Sequence, residues 1–279
     1  MTSAHPLLIG VDFSSSPTRR KPIVVALGAQ RGPVVQLQRL ERFDSLASFG
    51  AWLVDTPAWL GGFDLPFGLP RELVQVLGWP TEWHACLDHY ATLTRPQIRA
   101  TFAAFCAARP PGAKFAHRAC DRPAGSSPSM KWVNPPVAYM LHAGLPLLRA
   151  AGAWCPAHEP QAAPPAGTRP ARIALEAYPG LLAREVIGQR SYKSDERARQ
   201  TPERLIARKD LVDALEQGRT RLGQRLKLSA AQHAALVDDA SGDALDAALC
   251  LLQAAWAATQ PGFGLPADVD PLEGWIVSY

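Results

Sequence analysis

The fold is decided by residues 7–12, Leu-Leu-Ile-Gly-Val-Asp, an apolar run that ends in an acid. Two more apolar runs follow, Ile23–Leu27 and the alternating Val34–Leu40, with a tight turn at Gln30–Pro33 between them. Short runs rich in β-branched residues predict strands, and strands joined by so short a turn pair antiparallel. The first forty residues therefore predict a three-stranded antiparallel meander.

A helix and a fourth strand are predicted next. Asp44 is expected to cap a helix that carries Leu46, Phe49 and Leu53 on one face. Trp59–Asp64 then predicts a short strand that again ends in an acid. A helix between two strands of one sheet implies a parallel crossover, so the fourth strand is expected beside the meander.

Beyond the fourth strand the regular alternation of elements disappears. Helices are predicted at residues 96–107 and 137–150, and the Pro- and Ala-rich residues 156–170 predict a flexible loop. We interpret residues 67–170 as a mostly helical insertion between the fourth and fifth strands of a single domain that spans residues 1–279.

The C-terminal part of the chain returns to regular elements. Arg172–Pro179 predicts the fifth strand, with the proline as its stop. Helices are predicted at residues 203–217, 230–237 and 243–259, and the last of these is almost entirely apolar. The sequence as a whole predicts an α/β fold.

Composition restricts the class of protein. The chain has 279 residues, of which 47% are hydrophobic and 19% charged, enough to bury a substantial core. Its longest apolar stretch, Ala247–Ala258, is too short to span a bilayer, and the N-terminus lacks the basic start and cleavage site of a secretory signal. We therefore expect a cytoplasmic protein with no membrane partner.

Positive charge is concentrated in one segment. Residues 184–227 hold twelve Lys or Arg against seven Asp or Glu, a balance of +5, whereas the whole chain carries only +4. Such a segment can face the phosphates of a nucleic acid. A solvated helical face with ion pairs one turn apart explains the charge equally well.

Five acids stand at positions that favour a shared site. Asp12, Asp64 and Glu176 each end a predicted strand, and Asp243 and Asp246 lie three apart at the start of the apolar last helix. Residues at strand ends gather at one edge of an α/β sheet, and acids three apart share one helix face. Crowded carboxylates need compensation, for which Mg²⁺ or Mn²⁺ is suited.

Each acid also has a structural explanation. Asp12 and Asp64 can end strands by bonding nearby backbone amides, and Asp243 can stabilise a helix N-terminus. Asp246 lies deeper in an apolar stretch, and Glu176 lies within a strand, where glutamate is disfavoured. The coincidence of all five therefore favours a metal site.

Seven short motifs follow one another along the chain. They are Ile9–Asp12, Gly62–Gly68, Arg118–Arg122, Glu176–Pro179, Tyr192–Lys193, Asp243–Ala247 and Glu273–Ile276. Together they resemble the domain-of-unknown-function family numbered 429, described as a predicted nuclease with a ribonuclease H-like fold. The resemblance covers residues 7–277. The Glu-x-Tyr-Pro and Asp-x-x-Asp-Ala motifs also resemble the Holliday-junction resolvase branch of that superfamily.

The resemblance implies a fold and a ligand set. It implies a five-stranded mixed sheet in the order 3-2-1-4-5, flanked by helices, with acids at the ends of strands 1 and 4 and a carboxylate pair on the last helix. Asp12, Asp64, Asp243 and Asp246 match those places and are the implied ligands of Mg²⁺ or Mn²⁺. Glu176 is a family feature, which we include among the candidate catalytic residues.

The leading hypothesis is metal-dependent hydrolysis of phosphodiester bonds in a nucleic acid or nucleotide substrate. Two ions about 3.5–4 Å apart would share Asp12, and Lys193 would neutralise charge on the reacting phosphate or simply bind a backbone phosphate. The insertion supplies candidate substrate-binding residues, namely Arg118, Asp121, Arg122 and Lys131. A role as a solvated surface residue is the more common one for each of the three cations, and Asp121 can instead pair with an arginine.

Two rival functions stay open. A phosphotransferase of the related actin-like fold needs glycine-rich phosphate loops, whereas Asp12 is followed by Phe13–Ser16 without a glycine. A binding module with the same fold and no catalysis would keep its acids as structural groups and would bind metal weakly or not at all.

Overall fold

Six strands form one mixed sheet in the computed structural model, which describes residues 7–160 and 170–279. Their order across the sheet is β5-β4-β1-β2-β3-β6. The first three strands form an antiparallel meander, and β4, β5 and β6 each join the sheet in parallel pairing. The strands are β1 (Leu7–Asp12), β2 (Ile23–Arg31), β3 (Val34–Phe43), β4 (Trp59–Asp64), β5 (Arg172–Glu176) and β6 (Arg225–Lys227).

The sheet differs from the expected five strands in the order 3-2-1-4-5. A sixth strand, β6, lies beyond β3 and pairs with Val34–Gln36. It is only three residues long, Arg-Leu-Lys, and buries only Leu226, so no apolar run marks it in the sequence. The fifth strand also ends at Glu176 and not at Pro179, because Tyr178 caps a helix that starts at the proline.

Ten α-helices occur in the described residues. They are α1 (Leu46–Asp55), α2 (Arg71–Val76), α3 (Trp83–Ala91), α4 (Arg95–Ala107), α5 (Asp121–Ala124), α6 (Val137–Ala150), α7 (Pro179–Ile187), α8 (Pro202–Glu216), α9 (Ala230–Asp238) and α10 (Asp243–Ala257). The helices predicted near α4, α6, α8, α9 and α10 are confirmed to within two residues at each end. None of the described helices has the length and apolarity needed to cross a membrane.

The start of α1 differs from the expectation. Ser45, and not Asp44, caps the helix, because its hydroxyl oxygen accepts a hydrogen bond from the amide of Ser48 at 3.1 Å. Asp44 instead lies 3.7 Å from the guanidinium of Arg19. Between β4 and β5 the chain carries α2 to α6; residues 161–169 of the predicted loop lie outside the described residues.

The two faces of the sheet bury separate cores. Ile9 and Phe63 belong to a core shared with the helices between β4 and β5. Leu8 and Leu60, one residue away on the same strands, belong to a core formed with α7 to α10. Alternate residues of a strand point to opposite faces, so this division fixes the direction of every other side chain on β1 and β4.

Two glycines allow α10 to lie directly on the sheet. A Cβ atom at Gly10 would stand 2.1 Å from the carbonyl oxygen of Ala247 and 2.1 Å from the amide nitrogen of Leu251. A Cβ atom at Gly62 would stand 2.5 Å from the carbonyl oxygen of Cys250. These neighbours are helix backbone, which cannot turn aside as a side chain can, so any larger residue would push α10 away from β1 and β4.

We expect Gly10→Ala to lower the free energy of unfolding by at least about 2 kcal/mol, because the helix must move to admit one methyl group. Gly50→Ala is the matched control, since a Cβ atom there would meet only the end of the Leu147 side chain at 3.1 Å. In the middle of α1 this control is expected to be neutral or to stabilise by up to about 1 kcal/mol. Urea denaturation measures both, and equal stabilities would contradict the close packing of α10.

Candidate metal centre

The register between β1 and β4 places two acids side by side. Asp12 is the partner of Asp64 in the parallel pairing, and both end their strands. Asp12 is four residues after Leu8, and Asp64 is four residues after Leu60. Because alternate residues of a strand share a face, both acids point to the face of the sheet that α10 covers. The two strand ends and the helix therefore define one location for negative charge.

The third acid comes from the first turn of α10. Because Gly10 and Gly62 hold this helix against the sheet, the side chain of Asp246 lies over the ends of β1 and β4, where it is fully buried. One carboxylate oxygen each from Asp12, Asp64 and Asp246 lie within 4.8 Å of one another. We call these three residues the acidic centre.

Asp243 lies at the margin of the acidic centre. Its carboxylate accepts a hydrogen bond from Lys21 at 2.5 Å, and the same ammonium donates to Asp195 at 2.8 Å. The start of the helix is secured by Asp239, whose carboxylate accepts from the amide of Ala244 at 2.9 Å. The structure thus brings all four expected metal ligands to one end of the sheet, but only three of them converge.

A lysine and a tyrosine cover the buried carboxylate of Asp246. The Tyr192 hydroxyl donates to one of its oxygens at 2.5 Å, and the Lys193 ammonium donates to the other. Lys193 can approach because Gly242 has no side chain; a Cβ atom there would stand 2.7 Å from the Cβ of Lys193. Lys193 thus lies beside the acidic centre, and its catalytic role stays a prediction.

Two arginines of α8 donate hydrogen bonds to the backbone of the segment that contains Tyr192 and Lys193. Arg208 is buried and donates to the carbonyl of Tyr192 at 2.7 Å and to that of Val237 at 2.6 Å, while Arg204 donates to the carbonyl of Lys193. These contacts use part of the basic segment 184–227 for internal bonds. Of the residues that sequence reasoning did not assign to the site, Tyr192 had a motif signal, whereas Lys21, Arg204 and Arg208 had none.

Burial and mutual repulsion perturb the acids. Burial, followed by the charges of Asp246 and Asp243, raises the pKa of Asp12 well above its usual value. Burial likewise raises the pKa of Asp64 to about 7, although Lys193 opposes the change. Burial also disfavours the charged form of Lys193, but the neighbouring carboxylates outweigh it, Asp246 first, and its pKa is raised.

The balance of charge at this end of the sheet is negative. The three acids of the acidic centre and Asp243 carry four negative charges when ionised, and Lys193 and Lys21 supply two positive ones. The four ionised acids and the two lysines therefore have a net charge of −2. Such an excess in a buried place is the condition under which a protein gains from binding a divalent cation.

Glu176 does not join the acidic centre. It is paired in register with Phe63 and not with Asp64, so its side chain points to the opposite face of the sheet. There Arg118 donates two hydrogen bonds to its carboxylate, at 2.6 and 2.7 Å, and the amide of Phe67 donates a third at 2.9 Å. A role for Glu176 in catalysis stays a prediction, and its observed contacts are structural.

The candidate substrate-binding residues separate into two kinds. Arg118 and Asp121 are buried, and the guanidinium bonds the carboxylate of Asp121 at 2.9 Å, as expected if Asp121 pairs with an arginine. Arg122 is exposed, and the ammonium of Lys131 donates to the carbonyl of Asn134 at 2.6 Å.

A cleft of about 390 Å³ opens beside the acidic centre. Asp64, Tyr192 and Lys193 form the end next to the acids, and Arg118 and Glu176 also line it. Most of the remaining wall is apolar and comes from α6, α7 and the turn that follows β4. A molecule in the cleft would therefore touch the residues that carry the expected chemistry.

A second group of possible ligands lies elsewhere. Asp213 and Glu216 of α8 approach His233 of α9, whose Nδ1 lies 2.9 Å from the carboxylate of Glu216. All three are at least partly exposed, and Glu216 and His233 already form an ion pair with each other. It does not adjoin the cleft.

Comparison of the chain with protein-family models, with curated proteins and with solved structures gives no match.

Proposed function

We propose that this protein is a ribonuclease H-like, cytoplasmic nuclease, related to the domain-of-unknown-function family numbered 429, that hydrolyses phosphodiester bonds with Mg²⁺ or Mn²⁺. The observation that carries the proposal is the convergence of Asp12, Asp64 and Asp246 from two strand ends and one helix. Three distant parts of the chain supply one compact set of oxygen ligands. The neighbouring Asp243 is the fourth proposed ligand.

The donor set fits a hard divalent cation. All the converging atoms are carboxylate oxygens, which Mg²⁺ and Mn²⁺ prefer over softer ligands. The raised pKa values of Asp12 and Asp64 reflect burial and negative charge that lacks full compensation. A cation held by these residues would stabilise charge on a reacting phosphate and would make water a better nucleophile at neutral pH.

The chain's own residues position the reaction. A phosphate at the end of the cleft lined by Asp64 and Lys193 would lie next to the acidic centre and to the Lys193 ammonium, whose positive charge would stabilise the additional negative charge of the transition state. The oxygen of water forms a bond to phosphorus as the bond from phosphorus to the leaving ester oxygen breaks. The water gives one proton to the solvent, and the ester oxygen takes one up, so the products are a phosphate monoester and an alcohol.

Cleavage assays test the proposal directly. Labelled DNA and RNA, single-stranded and duplex, are incubated with Mg²⁺ or Mn²⁺ and the wild-type protein, Asp64→Asn or Asp246→Asn. We expect cleavage by the wild type and a loss of at least about a hundredfold in each variant. Equal cleavage by all three proteins would indicate contamination, and no cleavage of any substrate would contradict the proposed activity.

Metal binding is expected to depend on pH. The pKa of Asp64 is raised to about 7 in the metal-free protein, so between its ordinary value of 3.8 and about 7 the folded state holds a proton that the unfolded state has lost. A raised carboxyl pKa stabilises the folded state at low pH, and this contribution disappears as pH rises through about 7. A cation must displace the same proton at low pH.

We therefore expect Mn²⁺ affinity to fall by about tenfold or more for each pH unit below 7, because the raised pKa of Asp12 adds a second proton that the cation must displace. Calorimetric titrations from pH 5.5 to 8.5 measure this dependence. An affinity that does not fall below pH 7 would contradict the expected competition between the cation and these protons.

A non-catalytic binding module is the second candidate. The observation that favours it is the direct bond from the Lys193 ammonium to Asp246, which neutralises one acid without a metal ion. In that case Mn²⁺ would not bind measurably, and Lys193→Met would destabilise the protein without changing any metal affinity. For the phosphotransferase no observation on the described residues provides support.

A further inference from the structure

The cleft beside the acidic centre has a predominantly apolar lining and includes Asp64 of that centre. We propose that it binds one unpaired nucleobase of the substrate, so that the phosphate attached to that nucleoside lies at the acidic centre. This inference rests on the proposed function and adds the class of substrate. The base can belong to a single strand, to a nucleotide extruded from a duplex, or to a free nucleotide.

Size and lining support a single base. The volume of about 390 Å³ falls in the range of about 300–1,000 Å³ found for sites that hold one small molecule. Val137 and Met140 of α6 line one side, and Ala183 and Ile187 of α7 line the cleft as well. Apolar side chains of this kind accept the faces of a base, whereas a stacked duplex cannot enter so small a space.

Ten of the residues that line the cleft carry polar or charged side chains, and two of them lie where a nucleotide needs them. Lys193 and Asp64 line the cleft and also belong to, or contact, the acidic centre, so the two sites are continuous. The hydroxyl of Ser127 borders the cleft on another side. A nucleotide has the same arrangement, with a phosphate at one end and polar edges on an otherwise apolar base.

Arg184 adds an uncompensated positive charge to the wall. Its guanidinium stacks 5.1 Å from the ring centre of Tyr178 and donates to the Tyr178 hydroxyl at 3.0 Å and to the carbonyl of Ala124 at 2.6 Å. Within the described ranges, no carboxylate lies at ion-pair distance from it. A cation held by neutral partners at the rim attracts the phosphates on either side of a bound base.

The insertion between β4 and β5 thereby gains a role. Ser127, Val137 and Met140 come from it, whereas Ala183 and Ile187 come from α7 on the other side of β5 in sequence. The acidic centre itself takes no residue from the insertion. The insertion therefore forms the wall that selects the base and leaves the hydrolytic residues to the sheet and α10.

Binding of a fluorescent base tests this inference. The probes are 2-aminopurine in a short single-stranded DNA, the same strand in a duplex, and 2-aminopurine deoxynucleoside monophosphate, with Ca²⁺ present to occupy the oxygen ligands. We expect the wild type to change the fluorescence of the single strand or the free nucleotide at lower protein concentration than that of the duplex. Which of the two binds more tightly identifies the source of the base.

Two substitutions are designed to fill the cleft, and a third substitution outside it serves as the control. Val137→Trp and Met140→Trp are each expected to weaken probe binding by at least about tenfold, because the new ring occupies the place of the base. Val76→Trp adds the same ring to a side chain that is 67% exposed on α2 and outside the cleft, and it should bind like the wild type. Circular dichroism and Mn²⁺ titration identify any variant that has lost its fold, and the other filling variant then decides.

Two outcomes overturn the inference. One is a wild type that leaves all three probes unchanged; the other is normal probe binding by a folded filling variant. Manganese binding and cleavage by the wild type together with normal probe binding by Val137→Trp would reject the base site and leave the proposed function intact. If the filling variants lose probe binding but no protein cleaves any substrate, the base site is supported and the proposed nuclease activity is rejected.

Discussion

Asp12→Asn is expected to stabilise the metal-free protein and to abolish its metal-dependent activity. The carboxyl group of Asp12 is 8% exposed, and burial and the charges of Asp246 and Asp243 raise its pKa. At pH 8 the ionised form therefore costs stability, which the neutral amide of asparagine avoids at nearly the same volume. We expect the variant to be more stable than the wild type under these conditions and to lose at least about a thousandfold in cleavage.

Urea denaturation in the presence of a chelator measures the first effect, at pH 8 and at pH 5. The gain should shrink at the lower pH, where the wild-type carboxyl group becomes protonated and no longer repels its neighbours. Mn²⁺ should stabilise the wild type and not the variant. Asp55→Asn, an exposed change at the end of α1, is the control and should alter neither property. A variant that is destabilised in chelator and still stabilised by Mn²⁺ would contradict the role given to Asp12.

Arg118→Ala is expected to lower the free energy of unfolding by about 3–5 kcal/mol. The Arg118 side chain is almost fully buried and bonds the carboxylates of Glu176 and Asp121. It also donates to the carbonyl of Glu273, which ties the C-terminal segment to the insertion. Its removal leaves two buried carboxylates without their cation, and that penalty exceeds the loss of any single hydrogen bond.

Urea denaturation again provides the measurement, and Arg122→Ala provides the control. Arg122 is four residues along the same short stretch and is exposed, so its removal should change stability by less than about 0.5 kcal/mol. If Arg122 contacts substrate as predicted, this control should still weaken nucleic-acid binding. Equal stability of the two variants would show that the buried ion pairs do not hold the insertion in place.

The sequence predicted the acidic centre where local patterns determine geometry. Asp12 and Asp64 end apolar runs, and parallel pairing of those runs in the observed register places the two acids side by side. Asp246 was predictable from the apolar surroundings of a carboxylate on α10. The glycines that allow the helix to reach the sheet were part of the quoted motifs, but their packing role appears only in three dimensions.

Glu176 shows where sequence reasoning reaches its limit. It ends a strand as Asp12 and Asp64 do, yet β5 pairs with β4 one residue out of step with that pattern, so its side chain faces the other core. A register shift of one residue reverses the direction of every side chain, and no local pattern specifies it. The contacts of Lys21 and Arg208 were unpredictable for a related reason, because each joins residues far apart in the chain.

Anomalous diffraction from crystals soaked in Mn²⁺ would show whether Asp12, Asp64 and Asp246 together bind a divalent cation. We expect an anomalous peak at coordination distance, about 2.0–2.6 Å, from a carboxylate oxygen of each of the three residues. A peak found only between Asp213, Glu216 and His233, or none at saturating Mn²⁺, would contradict this expectation.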